Sequence, residues 1–247
     1  MSSQKKQTLV LVGHGSHYNR QSSAPVFQHA ARMRKRGLFD EVRVGFWKEE
    51  PSLARCLDGL SAGVATVVPL FMSSGYFTEQ VVPREMKLSG SLTQRGALSI
   101  RYTGPIGAHA GIADLIRERA REAGADASTA IAVLGHGTPR NPNSEKTIYE
   151  QAERVAKARE FAEVVTVFLD QEPGMGRIWE LTRAYHVVVV PLFMSDGWHV
   201  DETIPDELGL SGQQALRGER VMSYTPAIGT HPRISGIIDA LIRDFTE

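Results

Sequence analysis

The chain has 247 residues, 42% apolar and 23% charged, a balance that supports a buried core and excludes general disorder; its scattered 23 Gly and 12 Pro exclude a fibrous repeat. Its 28 Lys and Arg are matched by 28 Asp and Glu, and zero formal charge argues against a generic nucleic-acid binder while leaving room for a local basic pocket. The single cysteine, Cys56, excludes an intrachain disulfide and cysteine-ligated clusters, and fits a reducing cytoplasm.

T-L-V-L-V-G at Thr8–Gly13 is a continuous apolar run ending on glycine and predicts a buried strand. Ala24–Lys35 carries Val26, Phe27, Ala30, Ala31 and Met33 at helical spacing. Val42–Trp47 predicts a second strand, Pro51–Leu60 a helix opened by proline, and Ala65–Met72 a third strand. A helix is expected near Thr78–Lys87, a fourth strand at Leu98–Thr103 and a fourth helix at Ala110–Glu122. Strands alternating with helices imply βαβ crossovers and a parallel sheet covered on both faces, which is a doubly wound α/β domain. No apolar run reaches the roughly 18 residues that cross a bilayer, and the polar opening M-S-S-Q-K-K-Q-T lacks a signal-peptide pattern.

Past Thr129 the chain repeats itself. V-G-H-G-S at Val12–Ser16 returns as L-G-H-G-T at Leu134–Thr138, an offset of 122 residues. V-V-P-L-F-M-S-S-G at Val67–Gly75 returns at Val189–Gly197, F-W-K-E-E-P (Phe46–Pro51) as F-L-D-Q-E-P (Phe168–Pro173), and His109 as His231, all at that offset. The expectation is two tandem, pseudo-twofold-related doubly wound domains with parallel sheets, residues 1–124 and 125–247, joined through a small polar stretch at Arg121–Thr129.

Open α/β sheets bind ligands beyond the strand carboxyl ends, where the strand order reverses. With the order 2-1-3-4, that switch falls between strands 1 and 3, so G-H-G-[ST] and the S-x-G motif converge there. In the second half this unites His136 with His199, and two imidazoles at one cleft suit a borderline divalent metal. Asp170 and Glu172 follow strand 2 and Asp201 and Glu202 come just after His199; a carboxylate beside a metal-binding histidine can be a third ligand, an orienter of the ring, or a proton acceptor. The glycines flanking the histidine are read as letting a ligand approach closely. In the first half His14 matches His136, but Phe77 stands opposite His199 and Tyr76 opposite Trp198. That asymmetry predicts one reactive centre on the second half, with Phe77 and Tyr76 giving an apolar face to a flat ligand. Arg140 either pairs with an acidic substrate or is solvated; His109 and His231, each before a predicted helix, read as caps or anion contacts.

These motifs resemble the class II chelatases of tetrapyrrole biosynthesis, most closely the sirohydrochlorin cobaltochelatase and ferrochelatase family. G-H-G-S, G-H-G-T and V-V-P-L-F-M-S-D-G-W-H-V-D-E-T-I-P (Val189–Pro205) carry the likeness, which spans the chain as two copies. The resemblance implies a chelatase-like fold with its active site in the interdomain cleft. It implies a lyase-type enzyme of cobalamin or siroheme biosynthesis that inserts Co²⁺ or Fe²⁺ into sirohydrochlorin or a related tetrapyrrole. The metal is then a substrate and no organic cofactor or ATP is needed. His136 and His199 become the metal-handling pair, Glu172 and Glu202 the candidate acids, and His14, Tyr76, Phe77, Trp198 and Arg140 the substrate contacts. Expected partners are the small tetrapyrrole and the metal ion, without nucleic acid or membrane, in a cytoplasmic monomer or homodimer. The sequence departs from the family at Phe77, and at Thr203, where an Asp is common. A non-catalytic tetrapyrrole or metal carrier descended from a chelatase is the alternative. A histidine phosphatase needs Arg before the histidine, where Gly13 and Gly135 stand.

Overall fold

The computed structural model describes residues 5–138, 142–196 and 203–246. In chain order the principal elements are β1 (Gln7–Gly13), α1 (Ala24–Arg36), β2 (Glu41–Phe46), β3 (Ala62–Pro69), α2 (Val82–Glu85), β4 (Leu92–Arg95), β5 (Ala97–Tyr102) and α3 (Gly111–Glu122). The second copy runs β6 (Ala130–Gly135), α4 (Pro142–Lys157), β7 (Glu163–Phe168), α5 (Ile178–Leu181), β8 (His186–Pro191), α6 (Ile204–Leu208), β9 (Gln214–Arg217), β10 (Arg220–Tyr224) and α7 (Ile234–Thr246).

Each copy forms one five-stranded sheet, ordered β2-β1-β3-β5-β4 and β7-β6-β8-β10-β9. Four strands of each are parallel, in the expected 2-1-3-4 order. The fifth, β4 or β9, is an unforeseen antiparallel edge strand closed by a tight turn. Only one side chain in each edge strand is buried, so its hydrophobic signal is too weak to read from sequence. Leu9, Val10, Leu11 and Val12 of β1 are wholly buried, as are all but the glycine of β6, which is why these runs are apolar throughout.

The expected helix at Pro51–Leu60 is absent. Phe46 N–H donates to the Pro51 carbonyl (2.9 Å) and Leu53 N–H to the Phe46 carbonyl (2.8 Å), so the segment folds back on the end of β2. A run of turns follows, and Leu53, Cys56 and Leu57 still reach the first core. Periodicity identified the buried residues; the hydrogen bonds of the strand end decided the backbone.

The compact units also differ from the 1–124 and 125–247 division. One comprises Met1–Ile106 with Pro232–Glu247, the other Gly107–His231. The buried face of α3 (Ile112, Leu115, Ile116, Ala120) packs on α4 and β8, whereas α7 packs on α1, where Arg36 pairs with Asp239 at 2.5 Å. A repeat in sequence records duplication, while a unit in space records which sheet each apolar helix face covers.

Both G-H-G motifs begin at the carboxyl end of β1 or β6, the strand that pairs in parallel with β2 and β3 or with β7 and β8. The first glycine is required by packing: a Cβ on Gly13 would lie 3.1 Å from Val26 Cγ2 of α1, and one on Gly135 only 2.8 Å from Ile148 Cγ1 of α4. The second is required by the backbone, since Gly15 and Gly137 have φ of +67° and +72°. The fold itself accounts for both glycines, without the ligand approach that the sequence suggested.

Candidate active site

In the second unit, β6 ends at Gly135 and delivers His136 to a loop stitched onto the end of β7. Leu169 N–H donates to the Gly135 carbonyl (3.1 Å) and Asp170 N–H to the His136 carbonyl (2.9 Å). The side chains meet as well. His136 Nδ1 lies 3.1 Å from the Gly137 carbonyl and 3.1 Å from Asp170 Oδ2. Both neighbours accept only, so in the neutral ring Nδ1 carries the hydrogen and Nε2 the lone pair. Imidazole and carboxylate are each 55% exposed, so the pair is open to an incoming ion. Phe193, at the end of the next strand, presents an edge 6.2 Å from the His136 ring.

The corresponding corner of the first unit has the same backbone and a different chemistry. Trp47 N–H and Lys48 N–H donate to the His14 carbonyl (3.1 and 2.8 Å), and His14 Nδ1 lies 2.8 Å from the Gly15 carbonyl. Lys48 stands where the repeat has Asp170, and its ammonium sits 3.8 Å above the Trp47 ring. His14 is boxed by Trp47 and Phe77, with centroids at 5.2 and 4.8 Å; Phe71 stacks on Phe77, and the half-exposed Tyr76 meets its edge. This corner offers an apolar, aromatic surface and a cation in place of a carboxylate.

His199, Glu202, Trp198 and Arg140 lie outside the described residues. Glu172 is described and turned to other partners: it accepts from Gly174 N–H (3.1 Å) and lies 3.6 Å from Arg177. Glu50 accepts likewise from Ser52 N–H (2.8 Å), so this glutamate shapes the strand-end turn in both copies. Among the described residues, the carboxylate paired with His136 is Asp170. Superposing the two halves at their 122-residue offset sets Asp170 against Lys48, a charge reversal that sequence alone could have exposed.

Other candidate ligands have other roles. Burial pushes the Cys56 thiol up to about 12, leaving no thiolate for a metal near neutral pH. His109 caps α3, accepting from Gly111 N–H at 3.0 Å. Buried His231 faces Glu118 and Glu122 at 3.8 and 3.7 Å, but the Arg119 guanidinium pairs with Glu122 at 2.9 Å and already supplies that cluster with a cation. No described helix is long and apolar enough to cross a membrane.

Comparison with known proteins identifies the family. The chain is 40% identical to a probable sirohydrochlorin cobaltochelatase of Halobacterium salinarum, over 94% of this chain and 89% of that one. Among solved structures, a multi-domain protein of Deinococcus radiodurans with structural similarity to chelatases matches with a TM-score of 0.82 and 30% identity. The match covers 96% of this chain, which spans about half (54%) of that protein. The sirohydrochlorin chelatase SirB of Bacillus subtilis, solved with cobalt, shares the fold with a TM-score of 0.73 at 17% identity, covering 97% of this chain and 95% of SirB. The CbiX family model matches twice, over residues 8–123 and 130–245, once per repeat, and the chain belongs to the CbiX family.

Proposed function

We propose that this protein is a metal chelatase that inserts Co²⁺ or Fe²⁺ into sirohydrochlorin, with its metal-handling centre on the second repeat. The observation that carries this reading is the His136–Asp170 pair at the end of β6, set against a first repeat that has Lys48 and Phe77 in the corresponding places. Asp170 holds the Nδ1 hydrogen and so fixes the ring with its Nε2 lone pair available to the ion, as carboxylates do behind metal-bound imidazoles. Nε2 then replaces one water of the incoming ion. His199, which follows strand β8 as His136 follows β6, is the proposed second ligand, and exchange onto two imidazoles sheds water in steps.

Insertion releases two pyrrole protons for each divalent ion, so acceptors are needed beside the metal. His136 serves once its metal has passed on, with Asp170 stabilising the imidazolium; Glu202 is a further proposed acceptor, and Glu172 contributes through the turn it shapes. A flat conjugated ring is matched by the aromatic side chains of Tyr76, Phe77 and Trp47, with Trp198 and Arg140 as proposed further contacts. The metal is consumed as substrate, and the reaction calls for no organic cofactor.

The test is anaerobic addition of Co²⁺ to sirohydrochlorin, followed by absorbance, with His136→Ala and His14→Ala compared. Loss of a ligand and base predicts at least a ~100-fold fall in turnover for His136→Ala. His14→Ala is expected to act mainly through KM for the tetrapyrrole, within ~10-fold. Equal effects on turnover would refute a centre built on the second repeat.

A further inference from the structure

One side chain in the second unit joins the histidine loop to helix α4. Gln171 Oε1 accepts from Thr138 N–H at 2.7 Å, and its Nε2 donates to Glu145 Oε2 at 2.5 Å. The two partners fix the amide's orientation, since the backbone N–H only donates and the carboxylate only accepts. Its stem packs on the G-H-G loop, where a Cβ on Gly137 would lie 2.6 Å from Gln171 Cγ. Gln171 directly follows Asp170, so one loop supplies both the carboxylate on the His136 ring and the amide on the Thr138 backbone N–H, two residues past His136.

The first unit makes the same bridge with the chemistry exchanged. Glu49, the counterpart of Gln171, accepts from Ser16 N–H at 3.4 Å and from the Ser23 hydroxyl at 3.0 Å. Ser23 is the counterpart of Glu145 at the 122-residue offset. Each clamp thus holds one acid facing one neutral group, with the acid on the loop in one copy and on the helix in the other. Two acids would repel across the bridge.

We infer that Gln171 and Glu145 form a positioning clamp that holds the G-H-G loop, and with it the His136 imidazole, in the geometry needed to take up the metal. Neither residue touches metal or tetrapyrrole; both act through His136. The inference rests on the functional reading above and names the residues that keep its central ligand in place.

The two copies supply their own control. Gln171→Glu sets two carboxylates against each other, and adding Glu145→Ser recreates the pairing of the first unit. Amide hydrogen exchange at Thr138, which needs no metal, reads the clamp; the visible absorption and affinity of bound Co²⁺ read its consequence. Gln171→Glu is expected to lose Thr138 protection and weaken Co²⁺ binding ~10-fold or more, the size usual for residues that support a ligand. The double substitution should recover both to within ~3-fold, as expected of directly coupled partners. Retained protection in Gln171→Glu, or a double variant binding Co²⁺ no better than the single one, overturns the clamp. Wild-type protein inert towards Co²⁺ overturns the functional reading instead, while the exchange measurement still decides whether the bridge exists.

Discussion

The corners after β1 and after β6 share a backbone and part in chemistry. Both follow the second strand in the order of their sheet, both are G-H-G, and both tie Nδ1 of the histidine to the next glycine's carbonyl. Among the substitutions that separate them are Lys48 for Asp170 and Phe77 for His199. The first replaces a carboxylate, which on the proposed reading supports the imidazole as a ligand, with a cation that would repel metal; the second exchanges an imidazole for a ring without a lone pair. After duplication, helix packing and left-handed glycines preserve the frame, while the groups facing the ligand are free to diverge.

The largest effect should come from erasing the difference at its charged position. Asp170→Lys imports the first corner's residue beside His136 and is expected to lower Co²⁺ insertion by about 100-fold, with far-ultraviolet circular dichroism unchanged because the site is exposed. The reciprocal pair, Lys48→Asp with Phe77→His, should raise the number of Co²⁺ ions bound per chain by one in equilibrium dialysis. An unchanged stoichiometry would mean that more than these two positions separates the corners.

A middle-sized effect probes the shared frame. Gly135→Ala drives a methyl group to 2.8 Å from Ile148 and should destabilise the protein by ~1–3 kcal/mol in urea unfolding, with Gly13→Ala costing less because its gap to Val26 is 3.1 Å. The reverse ranking would show that the α4 contact yields more readily than the geometry implies.

The smallest effect concerns pH. Burial first, then the Arg119 cation, hold His231 below its ordinary range against the pull of Glu118 and Glu122. The folded state therefore resists a proton that the unfolded chain accepts. Its contribution is complete above the unfolded imidazole's range and is lost as pH falls through the lowered folded value. Between pH 7.5 and 5.5 the urea midpoint of wild type should drop more than that of His231→Gln, by an amount worth under ~1 kcal/mol. Parallel profiles would assign the acid sensitivity elsewhere.

Much of this protein is dictated locally. Uninterrupted apolar runs of strand length, such as those of β1 and β6, admit burial on both faces and therefore a parallel sheet with helices around it, and the 122-residue echo doubles that unit. The same echo singles out His136 as a candidate and sets Phe77 against His199 in the first copy. Tertiary contact decided the rest. Leu53, Cys56 and Leu57 are core in either backbone, but the strand-end hydrogen bonds of Phe46 chose turns over a helix. Asp170 and Glu172 are two residues apart and both carry a carboxylate; only the path of the chain turns one to His136 and the other to Gly174. Helices α3 and α7 show their apolar faces plainly, yet which sheet each covers depends on where the folded chain delivers it. Periodicity specifies that a face will be buried, whereas the partner is selected by three-dimensional proximity, for which a linear pattern has no coordinate.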